Sequence, residues 1–420
     1  MYENSNRQND LTAILIKPAG PDCNLACTYC FYREKADLFR ETARHRMSDQ
    51  VLEATMKQMM RLSSRHISLG WQGGEPTLMG LDFFERALAY QIQYGRGKIV
   101  GNSLQTNGRL IDAAWARFLK KYNFLVGISI DGPAGIHNIY RTKKNGDGSF
   151  DDTLRAVHIL KDHGVTINAL TVVNDRTARC PEEIYNTLKT LGFSYHQYIP
   201  CSEPAPRLSS DRAPFSVSAE SYGAFLVTLF DLWFDDFEDG VPTTSIRLFD
   251  ALLEKHMGAP PSECTLLETC GIYLVVEHNG DVFPCDFFVD EETRLGNLLV
   301  TPIEDLFQSQ KMKDFGAEKR RLGAPCLACE WRTLCRGGCP KERPLSEGDA
   351  SVNYYCSVYK MLFAHAESRL KQTAETLERR AVEARRTEVA AALKSGVLSV
   401  GRNEACPCGS GRKFKRCCGR

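Results

Sequence analysis

Residues 67–105 read ISLGWQGGEPTLMGLDFFERALAYQIQYGRGKIVGNSLQ. A β-rich run, Ile67–Trp71, meets a glycine turn. A helix-like stretch follows near 81–94, and a second β-rich run spans Ile99–Gln105. Short runs of this kind bounded by glycine read as strands, and the longer stretch between them reads as a helix. The alternation extends in both directions. Further β-rich runs lie at Ala13–Ile16, Leu125–Ile130, Ile167–Val173 and Tyr195–Ile199, with helix-like stretches near 48–62, 111–121, 150–163 and 181–191. Ser48 suits the N-cap of the first helix, and Pro181 suits the first turn of the last. Six strands alternating with helices predict a parallel α/β sheet with right-handed crossovers. Six units are too few to close an eight-unit barrel, which leaves a partial barrel or an open sheet. In both, chemistry gathers at the carboxyl ends of the strands.

The chain has 420 residues, enough for two or three domains. Residues 201–217 are rich in Pro and Ser and read as a linker. Helices are expected near 218–238 and 245–256, then a hairpin of Tyr273–Glu277 and Asp281–Pro284 turning at Asn279-Gly280. Residues 357–395 lack Pro and Gly and form one long helix, whose face of Leu362, Ala366, Leu370, Thr373 and Leu377 packs on the domain before it. The expected organisation is 1–217, a partial barrel; 218–360, linker helices and a cysteine-rich domain; 361–399, a helical connector; and 400–420, a small tail. A net charge of +1 offers no whole-chain argument for nucleic acid or an anionic membrane. No apolar run reaches transmembrane length, and the polar start MYENSNRQND lacks the apolar core of a signal peptide, so a cytoplasmic location is expected.

Seventeen cysteines in a reducing compartment point to metals rather than disulfides. Cys23, Cys27 and Cys30 form a Cys-x3-Cys-x2-Cys triple just after the first strand. Three thiolates fall one short of a structural zinc site, but they suit a cubane iron–sulfur cluster with one iron open to substrate. A zinc site completed from elsewhere is the competing reading. Eight more cysteines lie at Cys264, Cys270, Cys285, Cys326, Cys329, Cys335, Cys339 and Cys356, enough for two four-cysteine sites. A pair of zinc ribbons competes here, although only Cys326 and Cys329 make the usual CxxC pair. Cys180 and Cys201 read as ordinary small buried residues.

The triple, with the aromatic Tyr29 before its last cysteine and the turn Gln72-Gly73-Gly74-Glu75-Pro76 after the second strand, resembles the radical S-adenosylmethionine (SAM) superfamily. The resemblance implies a [4Fe–4S] cluster on Cys23, Cys27 and Cys30. SAM would be held there with help from Tyr29, Gln72, Gly73, Gly74, Glu75, Ser129 and Arg141, with Glu75 accepting from the methionyl ammonium. The cofactor would carry the radical chemistry while the protein positions it. The eight later cysteines resemble the SPASM extension. That implies two auxiliary [4Fe–4S] clusters, one on Cys264, Cys270, Cys285 and Cys339, the other on Cys326, Cys329, Cys335 and Cys356.

The segments Trp71–Pro76, Ile128–Pro133 and Phe283-Pro284-Cys285-Asp286-Phe287 further resemble the anaerobic sulfatase-maturating enzymes, over about residues 11–360. The implied reaction oxidises the cysteine or serine of a sulfatase Cys/Ser-x-Pro-x-Arg segment to Cα-formylglycine. Asp286 would be the base, an auxiliary cluster the acceptor of the second electron, and a flavodoxin or ferredoxin the electron donor. Read from composition alone, Asp286 is a surface turn acid. The tail RNEACPCGSGRKFKRCCGR carries Cys406, Cys408, Cys417 and Cys418, four thiolates that could close one zinc site. It resembles the SEC-C motif, which implies protein contact and suggests delivery to export machinery; a zinc-stapled tail without a partner is the alternative. Two rivals share parts of the pattern. One is a SPASM enzyme acting on another ribosomal peptide, disfavoured because only about ten residues precede the first strand. The other is a non-enzymatic metal protein for nucleic acid, which leaves the triple and the Gly-Gly-Glu-Pro turn unexplained.

Overall fold

The computed structural model describes residues 10–203, 212–343 and 352–420. The middle of the expected linker, 204–211, lies outside them. Six βα units come first: β1 (Ala13–Lys17), α1 (Asp49–Arg61), β2 (His66–Trp71), α2 (Leu81–Tyr94), β3 (Ile99–Thr106), α3 (Ala113–Lys121), β4 (Leu125–Ser129), α4 (Ala134–Tyr140), α5 (Phe150–Asp162), β5 (Thr166–Val173), α6 (Pro181–Thr190) and β6 (Tyr195–Pro200). Each expected strand and helix of this stretch is present, and α4 is an addition. Ser48 does cap α1, its hydroxyl accepting from Val51 N. Pro181 opens α6.

After α7 (Ala219–Asp235), β7 (Ser245–Ile246) and α8 (Arg247–His256) comes a hairpin of β8 (Leu274–Glu277) and β9 (Asp281–Phe283), then β10 (Gly296–Asn297). Gly280 makes the hairpin turn with φ 90°, a backbone region that favours glycine. Short helices follow: α9 (Ile303–Gln308), α10 (Gln310–Glu318), α11 (Ala324–Leu327) and α12 (Arg332–Cys335). The long α13 (Cys356–Lys394) leads to the tail.

The sheet runs β10-β9-β8-β1-β2-β3-β4-β5-β6-β7. Strands β1 to β7 are parallel, as expected of crossovers. The unforeseen feature is the other edge. β8 joins β1 in parallel, with Lys17 in register with Glu277, and β9 and β10 follow antiparallel. The cysteine-rich segment therefore extends the sheet of the barrel itself and turns Pro284–Asp286 back toward the carboxyl end of β1.

The core is continuous beneath the sheet. Trp71, Phe83, Phe84 and Trp115 are buried together, with Trp71 and Phe84 centroids 5.2 Å apart edge to face. Leu362, Ala366, Leu370 and Thr373 are buried, and α13 packs on α7 and α8, so this face meets the body of the chain as the spacing predicts. Leu377 is only partly buried against that core.

Candidate functional site

The loop after β1 carries Cys23, Cys27 and Cys30. Burial pushes the Cys23 thiol up to about 12, with Glu75, Cys27 and Cys30 adding to the rise. Burial likewise takes Cys27 to about 11, with Cys30 contributing. Cys23 feels both of the other thiols, and Cys27 feels Cys30, because the loop brings them close. Leu25 N donates to Cys23 Sγ at 3.4 Å and Asn107 Nδ2 at 3.7 Å, an amide environment suited to a cluster sulfur. A metal must displace the protons that burial retains here.

The turn after β2 locks onto this loop. Gly74 N donates to Gly20 O and Glu75 N to Asp22 O, both at 2.8 Å. A Cβ on Gly74 would lie 2.0 Å from Asp22 O, so only glycine permits the approach. The Glu75 carboxylate turns inward. It accepts from Thr77 N (3.0 Å), Thr77 Oγ1 (2.6 Å), Thr106 Oγ1 (2.8 Å) and Asn107 N (2.8 Å) and is fully buried. These four protein donors occupy the carboxylate that the sequence reading aimed at an ammonium. Glu75 ties the glycine turn to the end of β3, leaving the backbone of the turn to face a ligand.

Arg141 is not a solvated surface charge. It is buried, and its Nε donates to Asp131 Oδ2 at 2.9 Å, while Asp131 Oδ1 accepts from Val172 N at 2.9 Å. Tyr29 also donates its hydroxyl to Asp131. Ser129 is buried at the end of β4 beside this group. Asp131 organises two residues of the expected SAM set and was missed as a site residue, although it lies in the quoted segment Ile128–Pro133.

Asp286 is buried and is the meeting point of three segments. Gln72 Nε2 donates to its Oδ2 at 2.5 Å. Lys17 Nζ, on the last residue of β1, forms an ion pair with Oδ1. Lys17 is fully buried, lies 3.6 Å over the Tyr32 ring, and Tyr32 donates to Glu277. The backbone N of Asp286 lies 3.4 Å from Tyr273 Oη, which lies 3.6 Å from Cys285 Sγ. Asp286 thus joins the glycine turn, the first strand and an auxiliary-set cysteine, and it is no surface turn acid. Lys17 was overlooked. Its signal was a lysine closing the apolar run AILIK, where a cation needs a buried partner.

The eight later cysteines fall into two neighbourhoods. Burial raises Cys264 to about 12, and Cys285 raises it further. Cys339 is pushed well up by burial, with Cys285 and Cys264 among its neighbours, and Cys270 also feels Cys285. In the other set, burial takes Cys335 to about 11 with Cys356, Cys326 and Cys329 contributing, and these four line one pocket. The neighbourhoods are thus Cys264, Cys270, Cys285 and Cys339, and Cys326, Cys329, Cys335 and Cys356. Buried Lys319 lies against the first set; its Nζ donates to Cys264 O at 2.7 Å and Thr265 O at 2.9 Å. Its ammonium offsets thiolate charge there. Of the two other cysteines, Cys201 is buried and Cys180 half-buried.

In the tail, the sulfurs of Cys406, Cys408, Cys417 and Cys418 all lie within 4.8 Å of one another. Tetrahedral zinc with bonds of about 2.3 Å needs sulfurs about 3.8 Å apart, and Cys408–Cys417 at 3.5 Å and Cys417–Cys418 at 3.9 Å are close to that. Burial raises the Cys408 thiol, but hydrogen bonds from Ser410 and neighbouring cysteines bring it down to about 6. Cys406 and Cys408 pack on Val389 of α13, with Leu393, Leu398 and Phe414 around them. Among the described residues, no helix is long and apolar enough to cross a membrane.

Three family models match: the radical SAM superfamily at residues 18–188, an iron–sulfur cluster-binding domain (SPASM) at 268–330, and the SEC-C motif at 402–420. The chain is 40% identical over 368 residues to the cysteine-type anaerobic sulfatase-maturating enzyme of Clostridium perfringens, covering 87% of this chain and 99% of that one. It is 36% identical over 404 residues to the serine-type enzyme of Bacteroides thetaiotaomicron, covering 92% and 96%. The solved structure of anSMEcpe with bound AdoMet and the Cp18Cys peptide superposes with a TM-score of 0.81 at 39% identity, covering 87% of this chain and 99% of that chain. Streptococcus suis SuiB bound to precursor peptide SuiA shares the fold alone, at 15% identity, TM-score 0.59 and coverage of 83% and 76%.

Proposed function

The chain belongs to the anaerobic sulfatase-maturating enzymes of the radical SAM superfamily, and from that premise we propose that Asp286 is the base of its reaction. The enzyme oxidises a cysteine or serine of a sulfatase precursor to Cα-formylglycine. When bound, SAM and the [4Fe–4S] clusters supply a 5′-deoxyadenosyl radical that takes hydrogen from Cβ and an acceptor for the second electron. The chain's own residues do the rest. Cys23, Cys27 and Cys30 hold the initiating cluster, and the two four-cysteine sets hold the auxiliary pair. The backbone of Gly73 and Gly74, with Ser129 and the Tyr29–Asp131–Arg141 group, forms the SAM cradle.

Asp286 receives the thiol or hydroxyl proton of the target side chain. Lys17 compensates its charge, and Gln72 fixes the carboxylate while belonging to the SAM turn. The convergence of Lys17 and Gln72 on Asp286, next to Cys285, carries the reading. A base must sit where its proton is delivered, and here one carboxylate adjoins both halves of the chemistry. A zinc ion in the tail is supported by the four close sulfurs. The substrate segment is Cys/Ser-x-Pro-x-Arg, and the tail would bring the enzyme to unfolded precursors near the export machinery.

The test is anaerobic incubation of reconstituted Asp286→Asn and wild-type protein with SAM, reductant and paired Cys- and Ser-containing sulfatase peptides, read by mass spectrometry. Removing a general base costs about 10²–10⁴-fold in rate, so formylglycine should fall by that factor while iron content and 5′-deoxyadenosine release persist. Full turnover by Asp286→Asn would remove it as the base. The two peptides together fix the preferred target side chain.

A further inference from the structure

Cys23, half-buried like Cys27 and Cys30, lines an open cleft. Cys27 lies near Arg141 and Asp131. Cys30 packs against the small core of Tyr32, Phe39, Val275, Phe283 and Val289. The cleft beside Cys23 is lined by Asp22, Arg46, Arg109, Lys143 and Lys144, four cations to one carboxylate. At its border, Asp152 takes ion pairs from Arg109 Nε (3.1 Å) and Lys143 Nζ (3.0 Å), and exposed Arg155 lies 3.6 Å away. Exposed Asp147 and Asp151 lie further along the same segment. The lining is nonetheless tied to the cysteine loop: Arg109 donates to Asn24 O at 2.6 Å, and Asn107 donates to Asn24 Oδ1 at 2.8 Å.

We infer that this cleft is the docking face for the electron donor, an acidic one-electron carrier protein of the flavodoxin type. The inference rests on the radical SAM reading above. Reductive cleavage of the sulfonium consumes one electron, yielding methionine and the radical, and the carrier supplies it while being oxidised by one electron. That electron has to enter from outside the chain, and half-buried Cys23 lies on the wall of this open cleft. A cationic rim at that point steers an acidic partner, orients it over Cys23, and makes the encounter depend on salt. Lys144 is exposed and unpaired in ion pairs among the described residues, so it is free to meet a carboxylate of the carrier.

The experiment uses reduced flavodoxin and, separately, dithionite to drive SAM cleavage by the reconstituted full chain. Lys144→Glu combined with Arg155→Glu should raise the KM for flavodoxin by roughly ten-fold at low ionic strength. The gap should close as salt shortens the Debye length to about 8 Å. Affinity for oxidised flavodoxin, measured by calorimetry, should weaken in parallel, and dithionite-driven cleavage should match wild type. Unchanged flavodoxin KM and affinity would overturn the docking face. So would an equal loss with dithionite, since the cations would then be acting on the cysteine loop. If dithionite drives no cleavage even in the wild type, it is the radical reading that fails.

Discussion

The eleven candidate cluster cysteines of the body and the four of the tail sit in contrasting surroundings. In the body, burial raises thiols such as Cys23 and Cys264 to about 12, and the set around Cys285 draws its members from as far apart as Cys264 and Cys339. In the tail, all four sulfurs come from 406–418 and lie within 4.8 Å of one another, with Cys408 brought down to about 6. The body therefore has to fold before its sites exist, whereas the tail's site is a local hairpin closed by the Ala405–Lys413 bridge. One region uses tertiary structure to place reactive groups. The other gathers four thiols within a segment too short for its own core, the arrangement by which a bound metal can make structure.

Three changes can break or sharpen that contrast. The largest effect belongs to Lys17→Met. It removes the buried partner of Asp286 and leaves an uncompensated charge, which costs roughly 3–5 kcal/mol. Chemical denaturation should show that loss, with tail zinc unchanged. A loss no larger than that of an exposed ion pair would mean that Asp286 does not depend on Lys17.

Cys408→Ser combined with Cys417→Ser comes next. The chain should lose its zinc while iron content holds, and limited proteolysis should open near Gly396, after the end of α13. Formylglycine formation on short peptides should stay within about two-fold, because the tail packs on the distal part of α13 and makes no part of the Asp286 site. A fall in iron would show that the regions are not independent.

Asp250→Asn in α8 is the smallest. Burial pushes Asp250 up to about 6, although Ser245 donates to it and partly offsets the shift. Its folded value exceeds its unfolded one, so its destabilising effect is absent below pH 4, grows as pH rises toward 6, and is constant above. Asn does not titrate. The variant should be more stable than wild type by up to roughly 3 kcal/mol at pH 7 and equal to it near pH 3.5, as read by thermal melts. Tail zinc should not respond.

Much of this molecule was legible in the linear chain, for reasons visible in particular residues. The run ISLGW and the helix LDFFERALAYQIQY announce themselves because strand and helix periodicity is local. The cysteine spacings announce metals because thiolates at fixed short separations are rare without them. Glu75 shows where that reading stops. The residue is conspicuous, but which way its carboxylate faces depends on Thr106 and Asn107, which come from the next strand and the turn after it. Arg141 shows the same limit, since its partner Asp131 comes from a different element.

By itself, the sequence determined the six βα units, the capped and proline-started helices, the hairpin at Gly280, the long helix and the four-cysteine tail. All of these follow from patterns within a few turns of chain. Only tertiary structure decided that β8 would add to the edge of β1 with Lys17 opposite Glu277, and that Gln72 would meet Asp286 across 214 residues of sequence. Strand pairing between distant segments is fixed by which register buries both apolar faces and compensates both charges. That condition belongs to the folded chain as a whole.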